Sequence, residues 1–147
     1  MVDVITSIDI AAPLQEVTDY AMDQDNAPEW YSNINSVEWR TQRPMSLGTK
    51  FAFVARFLGR ELRYVYEIIE LSGTVLVMKT ADGPFPMETT YRFEKIDSKT
   101  TRMTLRNRGE PSGFSRLLSP FMAVMMKKEN KRDLASIKRI IERKRTA

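Results

Sequence analysis

Cysteine and histidine are both missing from this 147-residue chain. The first absence rules out disulfides and thiol nucleophiles, and the second rules out every catalytic dyad or triad that needs imidazole. Together they remove zinc sites of the usual kind. The six glycines form no phosphate-cradling loop, and no Asp/Glu cluster has ligand spacing, so neither a metal nor another cofactor is expected. No window approaches the roughly 18 uninterrupted apolar residues of a membrane span. The opening Met1-Val2-Asp3-Val4 lacks the basic-then-apolar layout of a secretion signal, so a cytoplasmic location is expected. Repeats, low-complexity segments and linkers are absent too, which leads us to expect one domain over residues 1–147.

What remains has the balance of a globular protein, 42% apolar and 29% charged. Val2 to Ile10 alternates, with Val4, Thr6, Ile8 and Ile10 on one face and Asp3, Ser7 and Asp9 on the other, which is the period of a half-buried strand. Pro13 suits a helix start, and Leu14, Val17, Tyr20 and Ala21 follow at helical spacing. Asp25-Asn26-Ala27-Pro28 signals a second short helix carrying Trp30 and Tyr31.

Six more strands are expected, the first over 37–42. Phe51, Phe53, Ala55 and Phe57 share a face of the next, and Leu58-Gly59-Arg60 reverses the chain into a strand with Leu62, Tyr64, Tyr66 and Ile68 inward. Val75–Thr80 is followed by the stiff Asp82-Gly83-Pro84-Phe85-Pro86 loop, then by strands bearing Thr89, Tyr91 and Phe93, and Met103 and Leu105. Hairpin-length connections make the sheet antiparallel, since parallel neighbours need crossovers of a dozen or more residues.

After a break at Arg108–Gly113, Ser119-Pro120 reads as a cap and first turn. Met122, Met126, Asn130, Leu134, Ile137 and Ile141 then form one stripe of a helix reaching Ala147. Its other face is basic: residues 127–147 hold nine Lys/Arg against Glu129, Asp133 and Glu142. A single long helix closing a sheet-rich chain is best accommodated by a curved antiparallel sheet wrapped around it, with a hollow between the two.

The order of these elements and several local patterns resemble the START/Bet v 1-like (SRPBCC) superfamily, particularly its bacterial polyketide cyclase/dehydrase-like members. The segments that carry the likeness are Ser7–Val17, Asp25…Pro28-Glu29-Trp30, Leu47-Gly48-Thr49-Lys50-Phe51, Tyr66-Glu67-Ile68, Gly83-Pro84-Phe85-Pro86 and Leu134…Ile137-Lys138. The resemblance spans essentially the whole chain. It implies an α+β helix-grip fold: a seven-stranded antiparallel sheet around the C-terminal helix, two short helices after strand 1, and a cavity between sheet and helix. Fold likeness supports a pocket without establishing a reaction.

The expected occupant is a small hydrophobic or amphipathic molecule, whether lipid-like, aromatic or polyketide-like. Phe53, Tyr64, Tyr66 and Tyr91 should face it from the sheet. A buried phenol needs a hydrogen-bond partner, so three of them in one interior favour a partly wet cavity over a dry core. Asn130 sits mid-stripe where packing would favour Leu, which points the same way. Met122 and Met126 provide adaptable apolar surface, although methionine is also ordinary core filler. Trp30 and Phe85 are expected near the mouth, opposite the apolar helix start.

No residue stands out as catalytic. A cyclase or dehydratase would rely on Tyr64, Tyr66 or Glu88, using neither metal nor histidine. The apolar start of the helix (Leu117, Leu118, Phe121, Val124) could serve a homodimer contact or a lid. The basic face could meet nucleic acid or an anionic surface through phosphates, but no aromatics interleave with its charges, and cations near a helix C-terminus are favoured anyway. A solvated face is the reading taken, with no nucleic-acid partner and no membrane insertion.

Overall fold

The alternating apolar pattern places nearly every strand where it was expected. The computed structural model describes residues 2–57, 59–82, 86–109 and 119–146. Strand β1 is Val2–Ile10. Helix α1 (Leu14–Ala21) follows, and a single 3-10 turn (Gln24–Asn26) leads straight into the four-residue α2 (Ala27–Trp30). The remaining strands are β2 (Ile34–Trp39), β3 (Lys50–Phe57), β4 (Arg60–Leu71), β5 (Val75–Asp82), β6 (Met87–Asp97) and β7 (Thr100–Gly109). Helix α3 covers Ser119–Thr146.

All neighbours are antiparallel, in the order β1-β7-β6-β5-β4-β3-β2. Strands β2 to β7 form a continuous meander, and β1 closes its far edge beside β7. The two short helices therefore carry the chain from one edge of the sheet to the other. This is the helix-grip arrangement.

Strand β2 lies three residues earlier than the 37–42 expected. Tyr31 is already extended after α2, so the chain enters the ladder at once, with Ile34 opposite Ala55 and Trp39 opposite Phe51. Beyond Trp39 it is drawn out of the sheet toward the helical turn: Asp25 accepts from Trp39 Nε1 at 2.9 Å and from Arg43 at 2.6 Å. Gly48 (φ 85°) and Gly59 (φ 75°) adopt left-handed backbone at the turns before β3 and β4, where a Cβ would be strained. Leu58, beside Gly59, lies outside the described residues, as do residues 83–85 of the Pro-rich loop and residues 110–118 with Leu117 and Leu118.

The main core is bounded by β1, the sheet's concave face, α1, α2 and the C-terminal half of α3. Ile10, Val17, Trp30, Phe51, Ile68, Leu76, Phe93, Met103 and Leu105 meet Leu134, Ile137 and Ile141 there. Polar ties fix the helix against its neighbours. Lys138 Nζ donates to the Asp9 carbonyl at 2.8 Å and pairs with Glu142, whose carboxylate also accepts from Ala11 N at 2.7 Å. Arg145 reaches Glu16 on α1 at 2.6 Å. Among the described residues no helix is long and apolar enough to cross a membrane.

Candidate functional site

The N-terminal half of α3 does not close fully onto the sheet. Between them lies a cavity of about 150 Å³. Its sheet wall comes from Phe53, Ala55 and Arg56 of β3, Tyr64 and Tyr66 of β4, Met78 of β5, Met87, Thr89 and Tyr91 of β6, and Asn107 of β7. Tyr31, Asn33 and Ile34 close one end, and Met126, Glu129, Asn130 and Asp133 form the helix wall. Burial separates floor from mouth. Phe53, Met78, Thr89, Tyr91, Asn130 and Asp133 are buried, whereas Asn33, Ile34, Ala55, Tyr64, Met126 and Glu129 are half-buried and Arg56 is exposed.

Most polar atoms in this wall satisfy one another. The Tyr31 and Tyr91 hydroxyls share a hydrogen bond of 2.6 Å. The Thr89 hydroxyl donates to Asn107 Oδ1 at 2.6 Å. Asn33 donates its amide to Glu129 at 2.6 Å. Burial pushes the Tyr31, Tyr66 and Tyr91 phenols well above their usual range, and Tyr64 rises for the same reason. All four therefore act at neutral pH as hydroxyl donors and acceptors, never as phenolates.

Two groups close together on the same helix face stand apart. Asn130 is 5% exposed, and its Nδ2 is buried without a hydrogen-bond partner. Asp133 is 3% exposed and accepts from Ser32 N at 2.9 Å. Loss of water pushes its carboxyl up to about 6, despite the opposing Ser32 contacts. Burial raises Glu129 as well, against the pull of Asn33. Replacing the orphaned amide with a similar-sized apolar group, Asn130→Leu, should raise the unfolding free energy by roughly 1 kcal/mol, the lower end of the cost of an unmet buried donor. Urea denaturation of the two proteins measures this.

The structure sorts the residues singled out from sequence. Phe53, Tyr64, Tyr66, Tyr91, Met126 and Asn130 line the cavity. Trp30 and Met122 do not. Trp30 is 1% exposed behind the wall, stacked on Tyr31 at 4.0 Å and edge-on to Tyr91 at 5.8 Å, so it buttresses the tyrosine pair. Met122 packs with Val2 and Val4 at the β1 edge, because the helix stripe drifts toward β1 near its start. Phe85 lies outside the described residues. Glu88 faces away from the cavity: Met87 and Thr89 take the inward positions, and Glu88 pairs with Arg108 opposite it at 3.0 Å.

Sequence reasoning missed Asp133, Glu129, Tyr31, Thr89 and Asn107 as wall residues. For Asp133 a signal was present: it sits one turn beyond Asn130 and beside Leu134 on the inward stripe. Among the described residues no group of three or more metal-ligating side chains occurs.

The sequence matches a family model described as polyketide cyclase / dehydrase and lipid transport over residues 1–142. No curated protein matches it. Among solved structures it superposes on TTHA0849 from Thermus thermophilus with a TM-score of 0.82 and 20% identity, covering 95% of this chain and 96% of that one. The Zhui aromatase/cyclase from Streptomyces sp. R1128 gives 0.79 at 14% identity, covering 96% and 93%. A START superfamily protein from Mycobacterium smegmatis gives 0.67 at 11% identity, covering 89% and 97%. At these identities the likeness concerns the fold.

Proposed function

The chain belongs to the polyketide cyclase / dehydrase and lipid transport family, in the START/Bet v 1-like superfamily, and on that premise we propose that it binds a small hydrophobic or amphipathic molecule between sheet and α3. The observation that carries this reading is the buried, partnerless Asn130 amide set among aromatic and methionine walls. A packed core would have no use for it, since an unmet buried donor costs about 1–3 kcal/mol. A space of about 150 Å³ matches a single aromatic ring or the end of a chain, the size at which an apolar cavity holds benzene. Anything longer must project past Ala55 and Arg56 into solvent.

Native mass spectrometry of gently purified protein, together with calorimetric titration of toluene as a neutral one-ring probe, tests the proposal. Wild-type protein should carry or take up a ligand. Ala55→Trp, which puts an indole across the mouth, should weaken uptake at least tenfold, or about 1.4 kcal/mol. No co-purified molecule and no toluene uptake would end this reading.

A second reading, a cyclase or dehydratase, draws on Asp133. A buried carboxyl that titrates near 6 can give or take a proton close to neutral pH, which suits general acid–base chemistry. Zhui, of similar fold, is an aromatase/cyclase. The two readings separate on turnover: an enzyme converts its bound ligand and loses that conversion in Asp133→Asn, whereas a carrier shows none in either protein.

A further inference from the structure

We propose that Asn130 and Asp133 make the cavity floor a recognition site for a neutral hydroxylated ring, a phenol or stable enol, held through its hydroxyl oxygen. The inference rests on the binding reading above and narrows its ligand class. It starts from what the floor leaves unmet. The other polar groups named in the wall have partners: Tyr31 with Tyr91, Thr89 with Asn107, Asn33 with Glu129. Among the described residues of the wall, Asn130 Nδ2 is the buried side-chain donor that has no hydrogen-bond partner. It needs an acceptor.

Asp133 stands three residues further along, on the same face of the helix. A carboxylate offers about four acceptor sites. Ser32 supplies the donors seen here, through its backbone N–H at 2.9 Å and its side chain. Capacity therefore remains for a donor from the cavity side. One ligand atom that both accepts from Asn130 and donates to Asp133 is a hydroxyl oxygen. A ketone meets only the first need, and a hydrocarbon meets neither. A phenolic O–H donating to a carboxylate is also a charge-assisted bond, about twice as strong as a neutral one.

Charge excludes the other common class of amphipathic ligand. A carboxylic acid placed at this floor would bring a second anion beside Asp133 and Glu129. Among the described residues of the wall Arg56 is the single cation, and it is exposed at the rim. Acid headgroups are thus turned away from the floor, whereas the flat walls of Phe53, Tyr66 and Tyr91 and the limited volume suit one ring.

Calorimetric titration at pH 8 with p-cresol, toluene and 4-methylbenzoate, three probes of nearly the same shape, tests the proposal. Wild-type protein should bind p-cresol at least tenfold more tightly than either of the others. Asn130→Leu should remove the preference for p-cresol over toluene, with circular dichroism and the urea midpoint showing that the variant is folded. Asp133→Asn should lose part of the same preference. If toluene binds as well as p-cresol, or if 4-methylbenzoate binds best, the hydroxyl recognition is overturned while the cavity still stands as a binding site. If none of the three binds, both readings fall.

Discussion

Asp133→Asn should make the protein more stable than wild type at pH 8 and leave it nearly unchanged at pH 4. Burial raises the Asp133 carboxyl from 3.8 to about 6. Between those values the folded protein holds a proton that the unfolded chain has released, so wild-type stability falls as pH rises through this window. Above about 6 the folded chain carries the full cost of a desolvated charge. A shift of this size corresponds to roughly 3 kcal/mol. Asparagine removes the charge and keeps an oxygen to accept the Ser32 N–H, so the variant escapes the loss. At pH 4 both side chains are neutral in the folded protein and the difference nearly disappears. Urea midpoints at the two pH values decide it. Equal or lower stability of the variant at pH 8 would show that Asp133 is better solvated, or better partnered, than its position implies.

Truncation of Ile137 to Ala should cost about 2–5 kcal/mol, the range for removing a branched side chain from a closed core. Ile137 is fully buried in the main core cluster, between Leu134 and Ile141 on the seam that holds α3 to the sheet. Asn130 and Asp133 depend on that seam, because it sets the rotation of the helix about its axis. For a chain of this length the loss should lower Tm by about 5–15 °C. Lys131→Ala, on the exposed face of the same helix, should change it little. Differential scanning calorimetry compares the two. A fall of less than about 2 °C for Ile137→Ala would mean that the helix is not held by this seam.

Much of the architecture is legible residue by residue. Val2–Ile10 alternates cleanly because one face of β1 meets α3 while the other meets water, with Asp3 and Asp9 pairing outward to Arg106 and Arg102. The helix stripe from Asn130 to Ile141 is equally clear. Its partner strands are not named by any local signal, yet hairpin-length turns leave few alternatives to a meander. The edge strand β2 was misplaced because the ladder stops at Trp39, where Asp25 holds the Trp39 side chain and Arg43 beyond it, contacts across 14 or more residues that no window can show.

The cavity wall was half visible. The tyrosines and Asn130 are polar groups at apolar positions, and such conflicts can be read directly. Asp133 offered only its place one turn beyond Asn130, and a carboxylate among Lys131, Arg132 and Lys138 otherwise looks like one more solvated charge. In the fold, Glu129 and Asp133 turn toward the cavity while Lys127, Lys128, Lys131, Arg132 and Arg139 stay outside. The outer face is therefore more basic than the tail's composition suggests.

Periodicity and turn length together determined that this chain would build an antiparallel sheet gripping one long helix. Periods of 2 and 3.6 are local, each strand or helix declares its own buried face, and hairpin-length turns pair successive strands antiparallel. Only the tertiary structure decided that a space of about 150 Å³ stays open above the seam, that Trp30 backs it without lining it, that Met122 packs instead at the β1 edge, and that Asp133 looks inward. Those outcomes depend on the rotation of α3, which the contacts of Leu134, Ile137 and Ile141 set together with the Ser32–Asp133 and Asn33–Glu129 bonds. Such long-range ties have no counterpart in any short stretch of sequence.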